Sequence, residues 1–355
     1  MSEGVSPGSS RYARQEILPG IGVEGQARIR GGHVVVVGLG ALGCVVVDLL
    51  ARAGVGRLTL IDRDVVEWTN LQRQTLYTEQ DARAGVPKAE ACAARVAAIN
   101  SGVACDARSA DVTGENVEGL AGLRGGGRPG ALVDATDNLE SRFLLNDVAV
   151  KHGVPLVYGG VVGTRGMHAV FTARVGGGLP CLRCVFGGPG APGSAPTCDT
   201  AGVLGSAVAA VGAAQAAGVL RLLVGGVGGV GGRLTELDAW SGHHRVIALG
   251  AADPGCVCCG AGVFEFLGAG AADAVVLCGQ HAVQVRPAGT GGVDMDALAA
   301  RLARVGEVQR TRFMVRFTPG ELRGAFLSVF EDGRAIVHGT NRPEVARAWY
   351  SRYIG

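Results

Sequence analysis

The chain has 355 residues, enough for one large domain and a small one. Its formal net charge of +2 supplies no field to steer it toward nucleic acid or a membrane surface, which argues against both as partners. The ten opening residues, MSEGVSPGSS, lack the apolar run of a secretory signal. In the cytosolic setting this implies, the ten cysteines point to metal or thiol chemistry and away from disulfides.

Residues 1–10 read as a disordered tail, and Arg11 to Ile29 as a helical lead-in. From Val34 to Asp64 runs VVVVGLGALGCVVVDLLARAGVGRLTLIDRD: a buried strand, a Gly38-x-Gly40-x-x-Gly43 turn, an apolar helix and a second strand ending on Asp62. That pattern places phosphates at a helix N-terminus, but the glycines alone do not separate NAD from another adenine nucleotide. Lys88 to Asn100 has helical spacing and closes on Asn-Ser-Gly. ALVDATDN reads as a strand, ESRFLLNDVAVKHG as a helix and PLVYGGVVG as a strand, the alternation of a doubly wound, mainly parallel α/β sheet. HAVFTARV and RLTELDAW read as strands of a more antiparallel extension, separated in part by the Pro/Gly-rich loop Gly187 to Thr197. Ala201 to Leu220 holds twenty uncharged residues, but its Ala, Gly and Val content fits a closely packed core helix better than a membrane span.

A boundary is expected near residue 262, giving an adenine-nucleotide domain over 11–262 and a small α+β domain over 263–355. In the latter, AVQVRP and RFMVRF read as strands and LSVFEDGRAIVHG as a hairpin turning on Asp332-Gly333. DMDALAARLARVG and NRPEVARAWYSRY read as its helices.

Several residues bear on the phosphate question. Asp62, at the end of the second strand, suits a ribose; Asp64 is as well explained as a solvated loop carboxylate. NLQRQ brings Asn70 and Arg73 just past that strand, and Lys88 opens the next helix. A forked cation and a point-charge cation suit a triphosphate better than a neutral nicotinamide ring. DATDN supplies Asp134, Asp137 and Asn138 at a strand's carboxyl end, where open α/β sheets bind ligands. Asp137 is read as a magnesium ligand, and Asp134 as a cap on the following helix.

CLRC (Cys181, Cys184) and CVCC (Cys256 to Cys259) form two knuckles of a four-thiolate zinc site, closed and therefore structural. Cys256 with Cys259 is the economical pair in the second knuckle, leaving Cys258 over. Cys198, just before a helix, stands where a dipole would favour a thiolate, although by position alone an ordinary free cysteine is the better reading.

In this order, RYARQ, GLGALGC, LTLIDRDVVEWTNLQRQTL, GVPKAEA, DATDN, CLRC, TCDTAGVLG and PGCVCC resemble the MoeB/ThiF family, bacterial relatives of the adenylation domain of ubiquitin-activating enzymes. The resemblance spans roughly Arg11 to Gly260. It implies ATP-dependent adenylation of the C-terminal carboxylate of a ubiquitin-like sulfur carrier ending in Gly-Gly, with pyrophosphate released. The sulfur would go to thiamine, molybdenum cofactor or a related product, with a separate sulfurtransferase as a possible acceptor partner.

Carried over, the resemblance implies that Gly38, Gly40 and Gly43 cradle the nucleotide and Asp62 binds the ribose. Asn70, Arg73 and Lys88 would hold phosphates, and Asp137 magnesium. Arg14 would reach the partner's site in a homodimer, and Cys198 would take over the activated carrier in members that form a covalent adduct. Cys278 in LCGQ lacks an anion-binding loop, which excludes a rhodanese domain in the tail. The tail would instead dock a protein partner, strengthen a dimer or only stabilise the chain. Three alternatives stay open: an adenylase of another peptide or amino-acid carboxylate, a non-catalytic scaffold for a ubiquitin-like protein, and an NAD-dependent dehydrogenase.

Overall fold

The computed structural model describes residues 11–125, 128–173, 178–188, 201–268, 274–277, 281–286, 292–320 and 324–354. The expected tail at 1–10, Cys198 and Cys278 lie outside them. Two compact units divide the chain, Met1–Gly270 and Ala271–Gly355.

Among the described residues the first unit is built on eight strands: β1 His33–Val37, β2 Arg57–Asp62, β3 Ala104–Ser109, β4 Ala131–Asp134, β5 Leu156–Val162, β6 Arg165–Phe171, β7 Arg233–Asp238 and β8 His243–Ala248. Their order is β3-β2-β1-β4-β5-β6-β7-β8. Pairing is parallel from β3 through β5 and antiparallel from β5 to β8. The doubly wound, mainly parallel sheet expected from the sequence is therefore present. Because the chain leaves β1 toward β2 and later returns to β4 on β1's other side, the carboxyl ends of β1 and β4 form a topological switch point. A crevice opens at such a point in this class of sheet. Val37 pairs with Asp134, which sets the glycine turn beside DATDN.

Helix Gly205–Gly225 explains its own composition. It packs on helix Ala41–Ala53 and on β5 and β6. A Cβ at Gly212 would fall 2.8 Å from the Cβ of Val45, and one at Gly218 would fall 3.0 Å from Val170. Small residues are needed for that approach. It is the one described helix long and apolar enough to cross a membrane by length and composition, and half of its most apolar window is buried within the protein.

Three expectations change. The lead-in is two helices, Ala13–Glu16 and Gly22–Gly31, interrupted around Pro19-Gly20, where proline and glycine cannot continue a helix. Asp134 does not cap helix Leu139–His152. That cap is Asn138, whose side-chain oxygen accepts the Ser141 N–H at 2.8 Å. The chain also stays with the first unit beyond residue 262: Phe266 stacks on Phe143 at 5.3 Å, and its N–H donates to Asp147 Oδ2 at 2.9 Å.

The second unit is an antiparallel sheet of β9 Ala274–Leu277, β10 Ala282–Val285, β11 Gly306–Arg310, β12 Met314–Pro319, β13 Phe326–Phe330 and β14 Ala335–His338. The order is β11-β12-β13-β14-β10-β9. Helices Met295–Leu302 and Pro343–Tyr353 share a core with Val283, Phe317, Leu327 and Val337. The expected hairpin turns at Gly333, with φ +82°, and Tyr350 Oη donates to the Gly333 carbonyl at 2.7 Å.

Candidate active site

The glycine turn is shaped by close backbone approach. Gly38 has φ +86°, and a Cβ there would lie 2.7 Å from the Ala135 carbonyl oxygen. A Cβ at Gly43 would run into the Gly38 carbonyl. Gly40 differs: the nearest atom to its missing Cβ is Gln74 Nε2 at 3.8 Å, so space is open over it. Helix Ala41–Ala53 begins directly after, with Gly40 as a cap that supplies no side chain. Its first N–H groups have no partner within the helix and suit an anion.

Two side chains grip the loop. Leu39 N–H donates to Asp62 Oδ2 at 2.6 Å, and Tyr77 Oη donates to the Leu39 carbonyl at 2.6 Å. Asp62 Oδ1 accepts the Asp64 N–H at 2.7 Å. Burial raises the Asp62 pKa, against the pull of Lys88 and of these two N–H donors. Each oxygen keeps a second lone pair for a ligand hydroxyl.

Lys88, in the first turn of helix Lys88–Ile99, is 4% exposed. Its Nζ donates to Asp64 Oδ2 at 3.0 Å. Burial alone would lower its pKa; the carboxylates of Asp64, Asp62 and, less strongly, Asp137 outweigh burial and hold it above the usual lysine value. The ammonium is thus a buried, fixed positive charge. Asp137 is exposed at the end of β4, with Lys88, Arg63 and Arg142 all within its field. Beneath it, fully buried Asp134 accepts from Arg142 Nε at 3.1 Å and from Thr136 Oγ1 at 2.6 Å.

The NLQRQ segment adds two more groups. Buried Asn70 accepts the Glu67 N–H at 3.0 Å through Oδ1, which closes the short helix Trp68–Asn70. Half-exposed Arg73 donates through Nη1 to the Thr69 carbonyl at 2.9 Å. Two residues that the sequence reading left unassigned also belong here. Gln74 is 4% exposed, and its Oε1 has no hydrogen-bond partner among the described residues. A buried acceptor left unmatched beside an open glycine fits a ligand or water donor. Arg63 lies between the two aspartates and donates to Asp111 Oδ1 at 3.2 Å.

Arg14 is not brought to this site. Its helix is anchored by Tyr12, whose ring lies where a Cβ at Gly54 would fall, and by Gln15 Nε2 donating to the Ala53 carbonyl at 3.1 Å. That anchor is at the far end of the 13-residue helix Ala41–Ala53, about 20 Å from the glycine turn at the α-helical rise per residue.

The four expected thiolates do converge. Cys181, Cys184, Cys256 and Cys259 have their Sγ atoms within 4.8 Å of one another. Individual separations are 3.8 Å (Cys181–Cys184), 3.7 Å (Cys181–Cys256) and 3.4 Å (Cys184–Cys259). A tetrahedron of sulfurs around zinc has edges of about 3.8 Å, given the usual metal–sulfur bond. Cys258 is buried beside Cys181 but is not one of the four: its Sγ accepts from Asn146 Nδ2 at 3.3 Å, and Asn146 Oδ1 accepts the Leu182 N–H at 2.9 Å.

Residues 12–258 match the ThiF family. This chain belongs to the ThiF family. It is 39% identical over 350 residues to the sulfur carrier protein ThiS adenylyltransferase of Bacillus subtilis, covering 98% of this chain and all of that one. It is 44% identical over 182 residues to the sulfur carrier protein adenylyltransferase of Thermus thermophilus, covering 50% of this chain and 64% of that one. Among solved structures, Escherichia coli MccB with ATP superposes with a TM-score of 0.58 at 20% identity, over 72% of this chain and 75% of that one, a likeness of fold. Family membership sets aside the dehydrogenase alternative for the glycine fingerprint.

The glycines separate in a simple test. Gly43→Ala should cost more than about 2 kcal/mol of unfolding free energy, because a backbone carbonyl must move. Gly40→Ala should stay within about 1 kcal/mol while weakening ATP binding. Denaturant unfolding and ATP titration of both variants check this. Equal stability losses at the two positions would contradict the reading of the loop.

Proposed function

We propose that this protein uses ATP to adenylate the C-terminal carboxylate of a ubiquitin-like sulfur-carrier protein ending in Gly-Gly, for sulfur transfer. The observation that carries the reading is the likeness, over 98% of this chain, to a sulfur carrier protein ThiS adenylyltransferase. In the reaction a carboxylate oxygen of the carrier forms a bond to the α-phosphorus. The bond from that phosphorus to the bridging oxygen of the β-phosphate breaks, and pyrophosphate leaves with the electron pair.

An ionised carboxylate needs no general base, so the demand on the protein is alignment and neutralisation of phosphate charge. The N–H groups after Gly40 and the Lys88 ammonium hold phosphate oxygens, Arg73 and Asn70 hold the outer ones, and Asp62 takes the ribose. Gln74 offers its unmatched oxygen to a donor on the nucleotide. Asp137 would hold magnesium, which when bound screens the phosphates. Replacing Asp137 by Ala should lower carrier-dependent exchange of pyrophosphate into ATP by orders of magnitude. Unchanged exchange would remove that assignment.

The placement of Arg14 supports a homodimer with shared sites, since its own chain's pocket is out of reach. Mixing Arg14→Ala with Lys88→Ala protein should restore part of the lost activity, because one mixed site keeps both residues. If subunits exchange and nothing returns, Arg14 does not act across the interface.

The sulfur spacings fit one structural zinc held by Cys181, Cys184, Cys256 and Cys259. Metal analysis should find about one zinc per chain, with chelation lowering the melting temperature. Cys258→Ser should keep the metal and Cys256→Ser lose it; the reverse pattern would reassign the ligands. Such a thiol-bound site accords with a cytosolic setting. A separate sulfurtransferase fits as the acceptor of the adenylated carrier. Cys198 is the proposed acceptor thiol of any covalent adduct, and adenylation itself does not require it.

A further inference from the structure

Arg63 has no task in the reaction as described, yet it is built into the site. Its side chain is 22% exposed and stands between Asp111 and Asp64. Nη1 donates to Asp111 Oδ1 at 3.2 Å, a hydrogen bond. Nε lies 3.8 Å from Asp64 Oδ1, within ion-pair range but too long for a hydrogen bond. Asp64 is closed instead on Lys88. Its Oδ2 accepts Lys88 Nζ at 3.0 Å, and its main-chain carbonyl accepts the Lys88 N–H at 2.9 Å. One carboxylate therefore sits between two cations and is hydrogen-bonded to only one of their side chains.

That arrangement poses a problem for a lysine that must receive phosphate. An ammonium has three donors and the lysine here is almost fully buried, so turning donors toward a triphosphate loosens its hold on Asp64. Asp64 is only partly exposed, and a carboxylate so placed is disfavoured when it loses its partner. The second cation removes that obstacle. Asp111 fixes one edge of the Arg63 guanidinium, and the Nε edge faces Asp64. A movement of roughly 1 Å would bring that long contact to hydrogen-bond length.

We propose that Arg63 is a positioning residue of the nucleotide site: it takes over the Asp64 carboxylate when a bound triphosphate draws Lys88 away. The inference rests on Lys88 being the phosphate cation proposed above. Arg63 then sets how readily ATP is bound, while the reacting atoms are untouched by it. The pair Arg63–Asp64 tightens as the pair Lys88–Asp64 opens, so no charge in the pocket is left uncompensated.

The test is a double-mutant cycle read by ATP titration and by the kinetics of carrier-dependent pyrophosphate exchange, with melting temperatures recorded for every variant. Arg63→Gln should weaken ATP binding and raise the KM for ATP about five- to tenfold, with kcat changed by less than about twofold. Arg63→Lys, which keeps a charge but not the fork, should give an intermediate rise and serves if the glutamine variant folds poorly. In an Asp64→Asn background Arg63→Gln should add nothing, since no carboxylate remains to be compensated. An Arg63→Gln effect of equal size with and without Asp64, or a fall in kcat at unchanged KM, would overturn the inference. Lys88→Ala separates the two levels. If it raises the KM for ATP and Arg63→Gln does not, only the role of Arg63 falls. If Lys88→Ala leaves the KM unchanged, the phosphate role of Lys88 falls and takes this inference with it.

Discussion

The Asp62 carboxylate ties together, through its two oxygens, the glycine turn after β1 and the corner that receives Lys88. One oxygen holds the Leu39 N–H and so sets the glycine turn after β1. The other holds the Asp64 N–H and so sets the residue that receives Lys88. Both bonds are made in a buried environment, where an ionised acceptor is worth more than at the surface. Loop shape and lysine placement are therefore one constraint. A change at Asp62 acts on the anion-binding N–H groups and on the buried cation together, whether or not the residue touches a ribose.

The sheet supplies the frame for that constraint. β1 and β4 run side by side, and the chain departs from them in opposite directions, so their carboxyl ends are left uncovered by a crossover. Into that gap come the glycine turn from β1, the Asp62–Asp64 corner from β2 and DATDN from β4. Gln215 closes the floor, donating to the Asp134 carbonyl at 2.8 Å from a helix able to come near because Gly159 has no side chain. The cysteine cluster braces a separate part of the unit, where Asn146 links helix Leu139–His152 to both knuckles. It has no side chain among those that grip the glycine loop.

How much of this was legible in the sequence follows from burial. Every interior strand of both sheets reads from its pattern: β1, β2, β4, β5, β6 and β7 in the first, β10, β12, β13 and β14 in the second. The strands that escape notice, β3, β8, β9 and β11, are the four sheet edges. ACDARS, HHRVIA and GEVQR are polar because an edge need not be apolar, and AVVL is only four residues long. The glycines, Lys88 and the four zinc-spaced cysteines are legible because each stands at a fixed place in a motif. Arg63 is not, since an arginine between two aspartates reads as a solvated loop until Asp111 is seen to meet it. Gln74 reads as one more polar residue until its buried, unmatched oxygen is seen. Asn138 shows the opposite case: a residue picked for the ligand has its side-chain oxygen engaged by a helix terminus.

Adenylation is defined by which bond of ATP is broken. The direct measurement is to incubate the protein with ATP, magnesium and a Gly-Gly-ended carrier, then take the intact mass of the carrier and identify the phosphate products. Attack at the α-phosphorus predicts a carrier heavier by one adenylyl group, with pyrophosphate released in equal amount, and no such product when the carrier's terminal carboxylate is amidated. ADP and inorganic phosphate with an unmodified or phosphorylated carrier would mean cleavage at the γ-phosphate, and would contradict the reading of the site.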